Sequence, residues 1–426
     1  MSEQAPILIP KSDPAPFGAD PDTMPLEAID VSNPDLFVND TWHGYFARLR
    51  RDDPVHYQPK SPFGPFWSVT RFEDIQYVDK HHEIFSSEPT ILIGDNPEDF
   101  NPESFITRDP PVHDVQRKAV QGVVAPRNLA ELEPIIRQRV QTILDGLPVG
   151  ESFNWVDRVS IELTTQMLAT LFDFPFEDRR LLTHWSDVAL ARPELTGGDG
   201  ITEEQRRVEM GECLAYFTRL WKERENQPPK FDLISMLIHG EGTKNMVNEP
   251  MVFLGNLLLL IIGGNDTTRN SISGGIVALN RNPAEYQKLR DNPALIPNMV
   301  SEIIRWQTPL AHMRRTAKVD TELGGKQIRA GDKVVMWYVS GNRDESVIDR
   351  PDEFLIDRPN ARHHLSFGFG VHRCMGNRLA EMQLRIVWEE ILARFHTVEL
   401  LGEPVRVRSN FVKGYSELPV RVHPLN

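Results

Sequence analysis

Apolar side chains repeat at helical spacing through the middle of the chain. In one stretch they fall on every third or fourth residue, at Leu129, Leu132, Ile136, Val140, Ile143 and Leu147. This period predicts an amphipathic helix, and Asn128 followed by Glu131 predicts a capping box at its start. Residues 159–172 predict a second helix that is almost buried. Residues 251–280 predict a third, about 45 Å long, which we expect at the centre of the fold because it is apolar on most faces.

Strand patterns are short and lie towards the two ends of the chain. They fall at residues 66–70, 319–328 around the turn Gly324-Gly325, 334–339 and 418–422. These strands do not alternate regularly with helices, as a doubly wound parallel sheet requires. We therefore predict a mainly α fold with small β sheets.

The beginning of the chain differs from the rest in composition. Six prolines fall within the first 25 residues, and they favour extended backbone over helix or sheet. We predict that residues 1–40 form a leader packed on the surface. Because no linker or internal repeat interrupts the remainder, residues 41–426 are predicted to form a single domain.

Charge and cysteine content narrow the choice of partners and compartment. The chain has 47 Lys and Arg against 61 Asp and Glu, a net charge of −14, which disfavours nucleic acid and anionic lipid. Two cysteines, Cys213 and Cys374, are too few for a disulfide framework, and no signal-peptide pattern precedes residue 30. The apolar stretch 251–262 is too short for a bilayer. We expect a cytoplasmic protein without a membrane anchor.

The segment with the most chemical information is Phe-Gly-Phe-Gly-Val-His-Arg-Cys-Met-Gly at 367–376. Its cysteine follows a glycine-rich loop and precedes an amphipathic helix, whose N–H groups and dipole favour thiolate over thiol. A zinc site would need further Cys or His ligands nearby. A dinucleotide fingerprint is excluded because the glycine that follows Gly370 comes only at Gly376. The remaining alternative from the residues alone is an ordinary buried cysteine after a turn.

This segment resembles the cysteine loop of the cytochromes P-450, the haem-thiolate monooxygenases, whose pattern is F-x-x-G-x-[HR]-x-C-x-G. The resemblance extends over residues 50–420. It implies the cytochrome P-450 fold, haem b as cofactor, and Cys374 as the axial ligand of the haem iron.

Residues 263–268, Gly-Gly-Asn-Asp-Thr-Thr, resemble the family's oxygen-activation segment. The Thr267 hydroxyl is four residues from the Gly263 carbonyl and can compete for it, which would open a groove beside Gly264. By the resemblance, Asp266 and Thr267 are the catalytic residues that deliver protons. Without the cysteine loop, residues 265–267 would be equally typical of the cap of a helix starting after the glycines.

Further family motifs imply groups that hold the cofactor or stabilise the fold. Asp-Pro-Pro-Val-His-Asp-Val-Gln-Arg at 109–117 resembles D-P-P-x-H-x-x-x-R. By the resemblance, the residues that bind the haem and its propionates are His113, Arg117, Arg315, His372, Gly368 and Gly264. The E-x-x-R motif implies a structural ion network of Glu302, Arg305 and Arg358.

The family's reaction inserts one atom of O₂ into an unactivated C–H bond. The chain has no flavin or nicotinamide fingerprint and no cysteine cluster for iron and sulfur, so two electrons must come from outside. The implied partners are a [2Fe-2S] ferredoxin and an NAD(P)H-dependent ferredoxin reductase. We expect an acidic ferredoxin to dock on a local basic patch of Lys118, Arg127, Arg373 and Arg378.

Within the family, residues 263–271, 308–317 and 365–390 are most similar to bacterial alkane and fatty-acid terminal hydroxylases. The resemblance implies a medium or long linear chain oxidised at its ω methyl, with residues 310–313 bordering the pocket. Sterol side chains, branched lipids and terpenoids remain alternative substrates. A non-catalytic haem-thiolate sensor or electron carrier would need neither Asp266 nor Thr267, and peroxygenases usually lack this pair.

Overall fold

Helices predominate in the chain, as the apolar periodicity predicts. The structure is a computed structural model that describes residues 20–192 and 200–425. The α-helices, in chain order, are α1 (Asp35–Val38), α2 (Trp42–Asp52), α3 (Phe72–Lys80), α4 (Val112–Val120), α5 (Pro126–Asp145), α6 (Glu162–Phe172), α7 (Arg180–Leu190), α8 (Glu203–Arg224), α9 (Leu233–His239), α10 (Pro250–Arg281), α11 (Pro283–Asp291), α12 (Ile296–Gln307), α13 (Tyr338–Gly341) and α14 (Asn377–Arg394).

Single 3₁₀ turns connect many of these helices. They lie at Pro21–Thr23, Leu26–Ala28, Phe105–Thr107, Gln121–Val124, Phe176–Asp178, Met246–Asn248, Pro293–Leu295 and Gly370–His372, and a π-helical segment, Val156–Ile161, leads into α6.

The three predicted helices are present, and one predicted cap is wrong. α5 begins at Pro126, where a proline suits the first turn because its missing N–H has no helical partner. Asn128 therefore lies inside the helix, and its amide donates to the carbonyl of Val123 instead of capping. The second helix is π-helical in its first turn and becomes α6.

The third predicted helix, α10, is the central element. It packs against α6, α7, α8, α12 and α14, and most of its residues are buried. Within the described residues it is the one helix long and apolar enough to span a membrane. Its apolar faces are instead covered by these neighbouring helices, as expected for a core helix.

The strands form small, separate sheets. They are β1 (Val55–Gln58), β2 (Phe66–Val69), β3 (Phe85–Ser86), β4 (Ser152–Asn154), β5 (Met313–Ala317), β6 (Thr321–Leu323), β7 (Lys326–Ile328), β8 (Lys333–Met336), β9 (Phe395–Leu400), β10 (Val405–Arg406), β11 (Tyr415–Glu417) and β12 (Pro419–Pro424). Their order is β1-β2-β8-β5-β3 in the largest sheet, β4-β12-β9 in the next, and β6-β7 and β10-β11 in two hairpin-like pairs.

The β6-β7 pair confirms the predicted hairpin. Its turn residues Gly324 and Gly325 have φ of +55° and +75°, a backbone conformation that glycine adopts without strain. In the largest sheet, β2 and β8 run parallel although the other neighbours are antiparallel. The mainly α fold with small β sheets is therefore confirmed.

The N-terminal segment contributes to the interior. Residues 1–19 of the predicted leader lie outside the described residues. Further along, Ile29, Val31, Leu36 and Phe37 are buried, and they pack in a cluster with residues of α2 and the β8 strand. The larger cluster surrounds α10, and a third lies beneath the largest sheet.

Candidate active site

A cavity of about 350 Å³ lies between α10, the cysteine loop and the segment 90–106. Of the residues singled out from the sequence, it brings together Cys374, Gly368, His372, Arg117, Arg315, Gly264 and Thr267. The volume falls in the range of ligand pockets. The cysteine and the predicted oxygen-activation segment thus line the same cavity.

The cysteine loop is shaped by local backbone geometry. Gly368 and Gly370 have φ of +63° and +66°, and the Cys374 N–H donates to the Phe367 carbonyl at 2.8 Å. Cys374 has accessible surface, but this surface faces the cavity, which it lines. Burial accordingly raises the pKa of its thiol, while the Gly376 N–H and Arg117 act in the opposite direction.

Two histidine rings meet beside the cavity, which His372 lines and His113 does not. The rings of His113 and His372 are 4.5 Å apart between centroids, edge to face. His113 Nδ1 lies 2.7 Å from Asp114 Oδ1. Among the described residues, His113 Nε2 and both ring nitrogens of His372 are buried without a hydrogen-bond partner. Burial lowers the pKa of both rings. A neutral ring has one N–H, and in His113 this N–H points from Nδ1 to Asp114, so that Nε2 donates only when the ring is protonated, whereas His372 has its one N–H free.

Two arginines complete this polar edge. Arg117 donates to the Arg373 carbonyl at 2.6 Å, and Arg315 donates from Nη2 to Asp79 Oδ1 at 2.9 Å. Both guanidinium groups line the cavity beside His372. Unsatisfied buried nitrogens next to two cations fit an anionic group such as a haem propionate, because each buried donor needs an acceptor. The residues present therefore fit haem.

Asp79, at the end of α3, was not identified from the sequence. It is buried and accepts hydrogen bonds from Arg315, from the Tyr338 hydroxyl at 3.0 Å and from the Phe369 N–H at 2.9 Å. Burial raises the pKa of this carboxyl, and Arg315 opposes the rise. Its partners are far away in the chain, so no local pattern indicated it.

The oxygen-activation segment lies within a continuous helix. Thr267 Oγ1 donates to the Gly263 carbonyl at 3.0 Å, which confirms the predicted contact. The alternative in which residues 265–267 cap a new helix is wrong, because α10 runs without a break from Pro250 to Arg281. Gly263, Gly264 and Thr267 line the cavity, and a Cβ at Gly264 would lie 2.7 Å from Leu168 Cδ2.

Asp266 lies behind this wall and is not among the residues that line the cavity. Its carboxylate accepts a hydrogen bond from Ser186 of α7 and lies 2.5 Å from Arg269 Nη2. Arg269 in turn donates to Asp187 at 2.6 Å. Burial raises the pKa of Asp266, and Arg269 opposes the rise. The sequence did not indicate Ser186, Asp187 or Arg269, because α7 and α10 are far apart in the chain.

Glu302, Arg305 and Arg358 lie together away from the cavity. Arg305 donates to both Glu302 oxygens at 2.7 and 2.8 Å, and Arg358 Nε donates to Glu302 Oε2 at 3.0 Å. All three are buried. Among the described residues, no group of three or more His, Cys, Asp or Glu side chains is placed to hold a metal ion.

The rest of the cavity wall is mostly apolar. Leu310 and Met313 line it as expected, whereas Ala311 and His312 of the same stretch do not. His312 is buried with Nδ1 2.9 Å from the Asn410 carbonyl oxygen. Further apolar lining comes from Ile91, Leu92, Phe105, Leu190, Leu258, Leu259, Ile262 and Phe411.

Comparisons with known proteins agree with this architecture. The family model for cytochrome P450 matches residues 216–412. The linalool 8-monooxygenase of Pseudomonas putida is 37% identical over 94% of this chain and 100% of its own length. The methyl-branched lipid omega-hydroxylase of Mycobacterium tuberculosis is 33% identical over 95% of this chain and 96% of its own length.

A solved structure extends the similarity to three dimensions. Cytochrome P450-153 from Novosphingobium aromaticivorans is 48% identical, covers 93% of this chain and 99% of its own length, and superposes with a TM-score of 0.86. The cavity that Cys374 and Thr267 line is thus accompanied by similarity along almost the whole chain. The chain belongs to the cytochrome P450 family, the haem b-dependent monooxygenases that incorporate one atom of O₂ into their substrate.

Proposed function

We propose that this protein hydroxylates the terminal methyl group of a medium or long linear alkane or fatty acid. The observation that carries the proposal is the apolar wall between Cys374 and the segment 90–106, built largely from leucine, isoleucine and phenylalanine side chains. Such a lining favours an alkyl chain because it offers few hydrogen-bond partners to a polar substrate. The similarity to a methyl-branched lipid omega-hydroxylase supports the terminal position.

The positions of the site residues support the roles that we propose for them. When bound, haem supplies the redox chemistry that activates O₂. We propose that Cys374 would ligate the haem iron and that His372, Arg117 and Arg315 would donate to the propionates, with His113 beside them as a donor from Nε2 when its ring is protonated. A buried charge-assisted hydrogen bond to a propionate would contribute about 1.5 to 3 kcal/mol.

Thr267 and Asp266 are assigned to proton delivery. The Thr267 hydroxyl lines the cavity, where it can orient a proton towards the reacting oxygen. Asp266 directly precedes Thr267 in α10, and its carboxylate accepts a hydrogen bond from Ser186 of α7. To deliver a proton to the cavity, the Asp266 side chain must rotate away from Arg269. Asp187, the second partner of Arg269, is half-exposed, and solvent reaches the ion pair from there.

Electrons are proposed to come from a [2Fe-2S] ferredoxin, reduced by an NAD(P)H-dependent reductase in the cytoplasm. Lys118, Arg127, Arg373 and Arg378 are all exposed. Arg373 directly precedes Cys374, and Arg117 donates a hydrogen bond to the Arg373 carbonyl. A cationic patch beside the cysteine suits an acidic partner on a protein that otherwise carries net negative charge.

A terpenoid or methyl-branched lipid is the second candidate substrate. The similarities to linalool 8-monooxygenase and to the methyl-branched lipid omega-hydroxylase favour it. A branched chain needs a wider cavity near the reacting methyl group than a linear chain does. Competition between a linear and a branched chain of equal carbon number distinguishes the two candidates.

The test is the position of the product hydroxyl. Holoenzyme is reconstituted with a [2Fe-2S] ferredoxin, its reductase and NADH, and supplied with dodecane or dodecanoate. We expect the ω alcohol as the main product by gas chromatography, with a rate that falls as ionic strength rises. Mainly subterminal alcohols would contradict the terminal position. No product from linear or branched chains would favour a sensor or electron carrier.

The same reconstitution tests Thr267. In Thr267→Ala the hydroxyl group that lines the cavity is lost while the apolar wall is kept. Binding of dodecanoate should stay close to that of the wild type, and the ratio of product to NADH consumed should fall about tenfold or more. An unchanged ratio would exclude Thr267 from proton delivery.

A further inference from the structure

His312 is buried behind the cavity wall, in the stretch 309–313. Leu310 and Met313 of this stretch line the cavity, whereas the imidazole of His312 does not. The His312 side chain is fully buried. A buried polar ring costs free energy unless its nitrogens have hydrogen-bond partners. The partners of this ring therefore indicate which parts of the molecule it holds in place.

Each ring nitrogen of His312 contacts a different neighbouring segment. Nε2 accepts a hydrogen bond from the Ile93 N–H at 3.3 Å, and Nδ1 lies 2.9 Å from the Asn410 carbonyl oxygen. Because the backbone N–H donates and the carbonyl oxygen accepts, the proton of the ring is on Nδ1. Burial lowers the pKa of His312 to about 4, so the ring keeps this neutral form at neutral pH.

The two segments that the ring connects also line the cavity. Segment 90–92 contributes side chains to it just before Ile93, and Phe411 does so directly after Asn410. The Phe411 ring packs edge to face against the imidazole of His312, with 5.3 Å between the centroids. A displacement at either hydrogen bond would therefore move part of the cavity wall.

On the side of segment 90–93, the imidazole takes the place of a backbone carbonyl. The Arg314 N–H donates to the Ile91 carbonyl at 2.8 Å, and in an antiparallel ladder the next hydrogen-bonded pair would be residues 312 and 93. The Ile93 N–H donates there to the ring of His312. Substitution can shorten or remove a side chain but leaves a backbone carbonyl in place. The position of this segment therefore depends on the identity of residue 312.

We propose that His312 is a specificity-determining positioning residue, which holds segment 90–93 and Phe411 at the spacing that admits a linear chain by its methyl end. The inference rests on the proposed terminal hydroxylation and names a residue that decides it. The ω methyl and the next carbon are only one bond apart, so a small displacement of the wall changes which of them reaches the reacting oxygen. His312 acts through the groups that it holds and does not touch the substrate.

Three substitutions separate the two hydrogen bonds. His312→Phe keeps an aromatic ring beside Phe411 and removes both bonds. In His312→Gln, Oε1 can still accept from the Ile93 N–H, and in His312→Asn, Nδ2 can still donate to the Asn410 carbonyl.

His56→Phe is the matched control. His56 is also a buried histidine, with Nδ1 2.8 Å from Asp53 Oδ2, and none of residues 50–60 lines the cavity. This variant loses a buried hydrogen bond of histidine at a distance from the cavity wall.

The first measurement is amide hydrogen exchange of the holoenzyme, followed by mass spectrometry of its peptides. In His312→Asn and His312→Phe, segment 90–93 should exchange about fivefold faster or more, whereas in His312→Gln it should stay close to the wild type. Segment 409–412 should exchange faster in His312→Gln and His312→Phe and stay close to the wild type in His312→Asn.

The second measurement is the product distribution from dodecanoate with ferredoxin, reductase and NADH. In His312→Phe the ratio of ω to subterminal alcohols should fall about tenfold. It should fall less in His312→Gln and in His312→Asn, because each keeps one of the two bonds. In His56→Phe the ratio should stay within about twofold of the wild type.

An unchanged product ratio in His312→Phe would overturn the inference. If that variant does not bind haem, an unchanged ratio in both His312→Gln and His312→Asn would overturn it. Failure of all three variants to bind haem, while His56→Phe binds it, would show that His312 serves folding rather than position. Mainly subterminal alcohols from the wild type would contradict the proposed function alone, since the exchange rates still show whether His312 holds the two segments.

Discussion

At the scale of single residues, Asp79 explains why the cysteine loop contains glycine. A Cβ at Gly370 would lie 2.3 Å from the Asp79 carbonyl oxygen, and one at Gly368 would lie 3.2 Å from Asp79 Oδ2. Both glycines also have positive φ, which a larger residue adopts only with strain. The loop therefore lies against the end of α3, and Asp79 connects it to Arg315.

Asp79→Asn should weaken both the fold and the cysteine loop. The change removes the charge that compensates buried Arg315 and places an amide donor where Arg315 or the Phe369 N–H donates. We expect the free energy of unfolding in urea to fall by about 3 kcal/mol. In the reduced carbon monoxide complex, a larger fraction should lose the red-shifted Soret band of thiolate ligation.

Glu73→Gln is the control, since Glu73 lies on the same helix and is exposed. It should leave both readouts close to those of the wild type. A stable Asp79→Asn protein with an unaltered Soret band would show that the contacts of Asp79 do not position the loop.

At the scale of elements, the cavity depends on how the segment 101–107 lies on α10. The Glu103 N–H donates to the Met251 carbonyl at 3.2 Å, and the Phe105 N–H donates to Asn256 Oδ1 at 3.3 Å. Between these contacts, a Cβ at Gly255 would lie 2.1 Å from the Glu103 carbonyl oxygen. Phe105 lines the cavity, so this close approach sets part of the substrate wall.

Gly255→Ala should therefore displace the segment 101–107. Alanine gains about 1 kcal/mol of helix propensity, but the clash with backbone outweighs it. We expect a net loss of about 1 to 3 kcal/mol in the free energy of unfolding and weaker dodecanoate binding in a spectral titration.

Gly211→Ala in α8 gives the opposite expectation. No atom lies within 4 Å of a Cβ at that position, so helix propensity alone should stabilise the protein by up to about 1 kcal/mol. If Gly255→Ala were equally stabilising, the close contact with Glu103 would not exist in solution.

At the scale of the whole molecule, Glu302 joins parts of the chain that have no local reason to meet. Besides its two arginines it accepts the Leu355 N–H at 3.0 Å. Arg305 also donates to the carbonyls of Asn342 and Pro351 at 2.9 Å. The network thus fastens the segment 342–358 to α12. Ion pairs on the exposed surface contribute little by comparison.

Glu302→Gln should leave Arg305 and Arg358 buried without their counter-charge. The free energy of unfolding, measured by urea titration and circular dichroism, should fall by about 3 kcal/mol or more. Glu223→Gln is the control, because Glu223 lies 3.7 Å from Arg219 on the surface with both side chains more than half exposed. A loss for Glu302→Gln no larger than that of the control would contradict the structural role.

Much of the fold and part of the site were predictable from local pattern. Residues within a few positions of each other determine the helix α10, the β6-β7 hairpin and the contact of Thr267 with Gly263. Apolar periodicity and turn residues in the sequence indicate such short-range relations. The capping box at Asn128 was wrong because Pro126 supplied a competing helix start one turn earlier. Local signals overlap, and only packing selects among them.

By itself, the sequence determined the helical class, the central helix and the cysteine at the start of α14, because each follows from short-range spacing. Tertiary structure decided where charges meet. Asp79 and Arg315 are 236 residues apart, Asp266 faces Ser186 rather than the cavity, and Arg192 reaches Asn96 across 96 positions. Such contacts form when segments that are distant in the chain pack against each other. Packing of this kind leaves no periodic pattern in the sequence.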